Sequence, residues 1–407
     1  MKYDTIIIGA GVVGASIAYY LKEQSPEQKI LLIDQYAKAG LGNTSKSAAL
    51  YRNLFSSSTN QILATSSISY YESIAQKIGL KNLGYLWMFS RKDWNKIQLG
   101  LQKLEPEKHN FEILTSDEIP SNLLLNLEGS GDFQDVYRLL IGYRCGALSA
   151  IKLTRFYIHQ FEKLGGKILY NSRIIRINLS EKERNYPPWI DVKILSIRND
   201  QGTTFQADSF VFATGAWSHS ILSPIGIASQ IYPQKRQMFT LKIKNPNQIV
   251  VDPSQETPIL ILPTGGVYIK PALLNNLLLV GCANELGNPY EMNKYPPDAE
   301  DGFFRNAIVP VLEHYFPKLT DYQIFSKWAG YYAYYWPDKN PVIEKVSNIQ
   351  WISGTSGSGI MKADAIGRIA AGKALDKTEV VLFDGLNFKV SNLSLKYRQV
   401  DLEELII

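Results

Sequence analysis

Lys2-Tyr3-Asp4-Thr5-Ile6-Ile7-Ile8-Gly9-Ala10-Gly11-Val12-Val13-Gly14-Ala15-Ser16-Ile17-Ala18-Tyr19-Tyr20-Leu21 stands near the start of the chain, and Ile30-Leu31-Leu32-Ile33-Asp34 follows shortly after. The apolar run ending at Ile8 reads as a short buried strand, and the stretch after Gly14 is apolar at helical spacing. A second buried strand then ends in an acid. Strand, G-x-G-x-x-G, helix, strand and acid together form a βαβ dinucleotide-binding unit. Gly9 permits the tight turn, Gly11 lets the backbone approach a pyrophosphate, and Gly14 lets the helix lie close to the strand. The helix N-terminus at Val12 and Val13 offers unpaired N–H groups and a partial positive charge to phosphates. Asp34 is placed to accept hydrogen bonds from ribose hydroxyls. It would repel a 2′-phosphate, so NADP is disfavoured, while FAD and NAD both remain open.

Working outward, 407 residues suffice for two domains with their own cores. With 45% hydrophobic and 20% charged residues the chain is globular rather than disordered. The net charge of +5 is small and dispersed, with no basic run, which argues against a nucleic-acid partner. Two cysteines, Cys145 and Cys282, make no disulfide framework and no C-x-x-C motif, and fit a cytoplasmic setting. No apolar stretch reaches the ~20 residues of a membrane helix, and Asp4 interrupts the start of what would otherwise mimic a signal peptide. The four histidines, His109, His159, His219 and His314, lack ligand spacing, so no metal is expected.

Further along, Gly40 to Ala49 is rich in Gly and Ser and suits a backbone lying against a flat ring or a phosphate; Arg52 follows it. Residues 60–79 read as a helix, 83–90 as a strand, 95–104 as a short helix, and 151–164 as an amphipathic helix stopped by Gly165-Gly166. A hairpin is expected, with strands near 189–197 and 203–207. Ser209 to Phe212 is a buried strand running into Ala213-Thr214-Gly215-Ala216-Trp217. Residues 230–320 alternate apolar and polar around Pro and Gly turns, as an antiparallel sheet would, and a helix is expected over 303–316. Near the end, strand Ile349–Ser353, the loop Gly354-Thr355-Ser356-Gly357-Ser358-Gly359-Ile360-Met361-Lys362 and a helix from Ala363 to Leu375 repeat the strand–glycine loop–helix theme.

Gly9 to Asp34, Gly42 to Arg52, Ala213 to Trp217, Tyr268 to Pro271, Trp336-Pro337-Asp338 and Gly354 to Lys362 together resemble the D-amino-acid oxidase superfamily of FAD-dependent oxidoreductases. The chain looks most similar to its glycine oxidase, sarcosine oxidase and archaeal dye-linked L-proline dehydrogenase branch. The resemblance implies an α/β fold: a discontinuous Rossmann-like FAD domain of the glutathione-reductase type (1–82, 146–225 and 326–407), and a substrate domain with a mixed or antiparallel sheet (83–145 and 226–325). It implies FAD, with its pyrophosphate on Gly9, Gly11, Val12, Val13 and Gly14 and its ribose on Asp34 and Gln35. The remaining cofactor residues it implies are Asn43, Thr44, Ser47, Ala48, Ala213, Thr214, Gly215, Trp217, Gly357, Ser358, Gly359, Ile360, Met361 and Lys362, with the Ile174 backbone at the adenine. A family cysteine that links flavin covalently is replaced here by Tyr331 and Tyr332, so FAD is expected to be noncovalent.

The reaction implied is oxidation of the carbon–nitrogen bond of a small amino acid, such as L-proline or sarcosine, by hydride transfer to flavin N5, giving an imine. Arg52 is assigned the substrate carboxylate, because the family's arginine before W-P-D is absent; Lys270 and Tyr332 are the other expected catalytic residues. The electron acceptor would be a quinone, a dye, a partner protein or oxygen. A homo-oligomer or peripheral association with the inner face of a membrane is also open. Two rival readings are an FAD-dependent glycerol-3-phosphate dehydrogenase, which needs several cations converging on a phosphate, and a tRNA-modifying flavoprotein, which needs a basic patch.

Overall fold

The computed structural model describes residues 2–102, 104, 110–180, 193–283, 292 and 295–405. Its first sheet grows from β1 (Lys2–Ile8), which pairs in parallel with β2 (Ile30–Ile33), with α1 (Val12–Gln24) between them. On the far side of β2 lies β9 (Lys167–Leu169). On the far side of β1 lies β12 (Thr204–Phe212), continued in parallel by β19 (Ile349–Ser353) and then antiparallel β18 (Val342–Val346). β10 (Ile174–Leu179) and β11 (Ile194–Asn199) complete this sheet by antiparallel pairing with one another and with β12. Both faces are covered. Ile7, Leu32, Val211 and Ile352 pack under α1, α2 (Ser58–Ser73), α4 (Ala150–Lys163) and α6 (Gly359–Ala374). Ile6, Ile8, Leu31, Ile33, Phe210 and Phe212 face the other way into a second cluster. Two-sided burial is why these strands are continuous apolar runs.

The second sheet runs in the order β17 (Tyr322–Tyr335), β13 (Ile231–Ile243), β16 (Leu277–Cys282), β15 (Val267–Ala272), β14 (Ile259–Ile261), β5 (Tyr85–Phe89), β7 (Arg138–Gly142), β6 (Phe111–Thr115). Only β14 and β5 run parallel, so the sheet is mixed. Its outer face packs on α5 (Val309–Tyr315), and its inner face packs on Leu50 and Leu54. β17 spans residue 326, where a domain boundary was expected, and stays in this sheet for its whole length. A small sheet of β3 (Leu50–Arg52), β8 (Cys145–Ala147) and β4 (Lys81–Asn82) sits beside it.

Several boundaries differ from the sequence reading. The helix expected over 60–79 breaks at Ile74, and a four-residue turn then stops at left-handed Gly79. The helix expected at 95–104 is α3 (Arg91–Leu101), started earlier because Ser90 caps the Asp93 N–H. The stretch expected as one helix over 303–316 has a wider-turn segment from Phe304 to Ile308 before Pro310, whose missing N–H breaks the regular ladder. The first hairpin strand begins at Ile194; residues 189–192 of the expected strand lie outside the described residues. α6 starts at Gly359, so Ile360, Met361 and Lys362 are helical rather than loop.

Candidate functional site

A cavity of about 800 Å³ runs between the two sheets, in the upper part of the range for ligand sites. At its centre is the β1–α1 turn. Gly9 adopts φ +104, and a Cβ there would lie 2.5 Å from the Ala213 oxygen. At Gly14 a Cβ would lie 1.8 Å from the Gly9 oxygen. Gly11 is different: its backbone is extended (φ −67, ψ 177), and an added Cβ meets only Thr44 Oγ1 at 3.2 Å. Gly11, the N-cap of α1, has no side chain to cap the helix and faces the cavity. Thr44 Oγ1 accepts from the Val12 N–H at 3.2 Å. A second helix, α6, also opens into the cavity at Gly359 and Ile360 without a side-chain cap.

Asp34 lines the cavity at the end of β2 and accepts from the N–H groups of Ala10 (2.6 Å) and Tyr36 (2.8 Å). Burial raises its carboxyl above the ordinary value, against the pull of those two N–H groups. Past Asp34 and Gln35 the cavity reaches Arg173–Ile177 of the β10 edge and residues 220–225. In the other direction it reaches the second sheet at Arg236, Met238, Tyr268 and Gly330–Ala333. The loop carrying Asn43 to Ala48 is stitched to that sheet. Asn43 Oδ1 accepts from the Tyr331 N–H at 2.9 Å, and the Lys46 carbonyl accepts from Trp328 Nε1 at 2.9 Å. Gly330 leaves room for Lys46, whose Cβ would lie 2.7 Å from any Cβ added there. The Tyr332 ring lies on the late glycine loop, 2.5 Å from where a Gly357 Cβ would be.

Of the residues expected at the cofactor, Gly9, Gly11, Val12, Val13, Asp34, Gln35, Asn43, Thr44, Ser47, Ala48, Ile174, Ala213, Thr214, Gly215, Trp217, Gly357, Gly359 and Ile360 line the cavity. Gly14 supports it from behind. Ser358, Met361 and Lys362 are buried next to it and do not line it. Among the expected catalytic residues only Tyr332 lines the cavity. Arg52 lies outside: its guanidinium is buried, donates to the carbonyls of Leu54 and Leu405 (the latter at 2.5 Å), and covers the Phe55 ring at 4.1 Å. Lys270 is on the cavity-side face of β15, two residues past Tyr268, but beyond the lining; burial and then Lys81 lower its pKa. Lys362 is 0% exposed.

The sequence reading passed over Arg236 and Lys46, the two cations at the second-sheet end of the cavity. Arg236 Cζ stands 5.4 Å from the Tyr332 ring centroid, and its Nη1 donates to the Lys235 carbonyl at 3.2 Å. Period-two alternation along β13 was the available signal, because it puts Gln234, Arg236 and Met238 on one face. The hydroxyls of Tyr268 and Tyr332 titrate above the ordinary tyrosine value, chiefly through burial. Tyr268 donates to Met238 Sδ at 2.9 Å. These phenols therefore stay protonated at neutral pH.

A βαβ turn stripped of side chains, two helix N-termini whose N-cap residues supply no side-chain cap, both facing one long cavity, and an acid at the end of β2 suit a dinucleotide bearing a pyrophosphate. The chain matches the family model described as "DAO: FAD dependent oxidoreductase" over residues 4–373, and it belongs to that family. Its cofactor is FAD. It is 24% identical over 434 aligned residues to FAD-dependent oxidoreductase domain-containing protein 1 of Xenopus laevis, covering 97% of this chain and 81% of that protein. In fold it is similar to L-proline dehydrogenase from P. horikoshii, with a TM-score of 0.76 and 21% identity over 93% of this chain and 95% of that one. It is also similar to glycine oxidase from Geobacillus kaustophilus, with a TM-score of 0.70 and 19% identity over 92% and 95%. No helix among the described residues is long and apolar enough to cross a membrane.

Proposed function

We propose that this oxidoreductase removes two electrons from the carbon–nitrogen bond of a small amino acid, a secondary one such as L-proline or sarcosine, and that Arg236 holds its carboxylate. The observation that carries this reading is Arg236 itself, a cation facing the second-sheet end of the cavity among Met238, Tyr268 and Tyr332. A guanidinium grips a carboxylate through two parallel N–H donors, which fixes orientation as well as charge. The aromatic rings and Met238 wall a small apolar space beside it. Lys46 adds positive charge without the fork. Two cations are fewer than a phosphoester would call for, so the glycerol-3-phosphate reading has less support.

Bound FAD supplies the two-electron acceptor. The chain's own work is orientation and exclusion of water. Burial raises the Tyr268 and Tyr332 hydroxyls, so neither phenol serves as the base, and on this reading the amine arrives neutral. The imine produced would then be hydrolysed by water. Among the described residues that line the cavity none is a cysteine or histidine that could carry a flavin link, in keeping with noncovalent FAD. We keep the division into a cofactor part (1–82, 146–225 and 326–407) and a substrate part (83–145 and 226–325), with β17 as the seam between them.

The test is steady-state kinetics of Arg236→Met and Arg236→Lys with an amino acid and with the same amine lacking its carboxylate. Loss of one charge-assisted anchor, about 1.5–3 kcal/mol, predicts a fall of roughly 10- to 150-fold in kcat/KM for the amino acid. The carboxylate-free amine should be hardly affected. Equal losses for both substrates would refute the role of Arg236.

A further inference from the structure

Glu403 is an acid buried to 3% exposure, far along the chain from the glycine loops. Its Oε1 accepts from Ser56 N and Ser56 Oγ, both at 3.0 Å, and from Leu405 N at 3.0 Å. Its Oε2 accepts from Ser57 N at 3.1 Å and from Asn60 Nδ2 at 3.2 Å. It thus takes the two backbone N–H groups just before α2, those of Ser56 and the N-cap Ser57, while the first N–H of the helix, Ser58, donates to Asp401 Oδ2 at 3.0 Å; an anion is favoured beside this helix start.

The contact with Asn60 leads inward. A carboxylate can only accept and an ammonium can only donate, so the amide between them has one allowed orientation. Nδ2 faces Glu403, and Oδ1 accepts from Lys362 Nζ at 2.5 Å. The same ammonium donates to Ser358 Oγ at 2.6 Å. With that lone pair used, the Ser358 hydroxyl donates onward to the Thr355 carbonyl at 2.8 Å. Thr355, Gly357 and Gly359 line the cavity. Every link in this series has a single direction, and it ends on the turn that opens α6 toward the cofactor.

We infer that Glu403 is a positioning residue for FAD, setting the Thr355–Gly359 turn through Asn60 and Lys362. The electrostatics agree. Lys362 and Arg52 flank the Phe55 ring at 4.2 and 4.1 Å. Two buried cations this close need a counter-charge, and the Glu403 carboxylate acts on both in the direction that keeps them protonated, against the burial that pulls them down. Without it, Lys362 has reason to lose its proton; a neutral amine is a weaker donor, and its grip on Ser358 slackens. This inference concerns the cofactor turn alone and does not depend on which amino acid is oxidised.

The test is a double-mutant cycle on apoprotein titrated with FAD, read by quenching of flavin fluorescence. Glu403→Gln keeps the size of the side chain but removes its charge; Ser358→Ala removes the far end of the relay. Each should raise the Kd for FAD about tenfold, the size of one charge-assisted hydrogen bond. The double variant should bind no more weakly than the weaker single variant. A merely structural role for Glu403 lowers thermal stability and leaves the Kd unchanged; that result would overturn the inference. So would a double-variant Kd equal to the product of the two separate effects. Should Glu403→Gln not fold, Glu403→Asp keeps the charge on a side chain one methylene shorter, and the same cycle is run with it.

Discussion

Gly11 and Gly14 are three residues apart, and alanine at each should fail in a different way. At Gly14 the new methyl would stand 1.8 Å from the Gly9 oxygen and 3.2 Å from the Ala213 Cβ. The obstacle is backbone on a neighbouring turn, so α1 must move off the sheet. Alanine gains ~1 kcal/mol in helix propensity, but overpacking a tight contact costs about 3 kcal/mol or more. The net loss is roughly 2 kcal/mol of stability, and FAD affinity falls with it because the turn is displaced. At Gly11 the backbone already suits alanine, and only Thr44 Oγ1 is near, at 3.2 Å. Stability should hold, or rise by about 0.5 kcal/mol through the stiffer unfolded chain. The methyl nevertheless occupies the space a pyrophosphate needs and blocks one or two charge-assisted N–H contacts. That costs roughly 2–4 kcal/mol, or 30- to 1000-fold in affinity. Thermal melts of the apoproteins and FAD titrations separate the two effects. If Gly11→Ala bound FAD as tightly as the native chain, the pyrophosphate could not lie on this turn. If Gly14→Ala kept full stability, the close packing of helix on strand would be misread.

Asp34 should impart a pH dependence to cofactor binding. Its carboxyl is raised above the ordinary value in the apoprotein, and ribose hydroxyls donate to the ionised form, so FAD binding favours loss of the proton. Affinity is therefore complete above the raised pKa and declines as pH falls through it; Asp34→Asn should bind more weakly and lack that slope. Arg52→Met should lose about 3 kcal/mol of stability, because it strips donors from two carbonyls and a counter-charge from buried Glu403. Its KM for the amino acid should stay native, and a large rise in KM would return the carboxylate to Arg52.

The first sheet was legible because its strands are short, apolar on both faces and punctuated by glycines that the turn geometry requires. Asp34 and the A-T-G-A-W strand end could be placed for the same reason: strand, turn and helix determine them locally. Arg236 could not be placed that way. Its position depends on which face of β13 meets the cavity, and that is settled by pairing with β16 and β17, whose partner residues are distant in sequence, Gly330 for Arg236 itself. Arg52 misled because a lone arginine after a cofactor loop has the right chemistry, while its actual partner, the Leu405 carbonyl, comes from the other end of the chain. Lys362 misled similarly. Read as loop it would face the flavin; as the fourth residue of α6 it turns inward to Asn60.

The most direct test of the account is an anaerobic absorbance titration of the purified, FAD-loaded protein with L-proline, sarcosine, glycine, D-alanine and glycerol-3-phosphate. The account predicts that one of the amino acids, with a secondary amine favoured, bleaches the flavin band while glycerol-3-phosphate leaves it unchanged, and that the speed of recovery in air then separates oxygen from another acceptor. A flavin bleached by glycerol-3-phosphate and by none of the amino acids would contradict it.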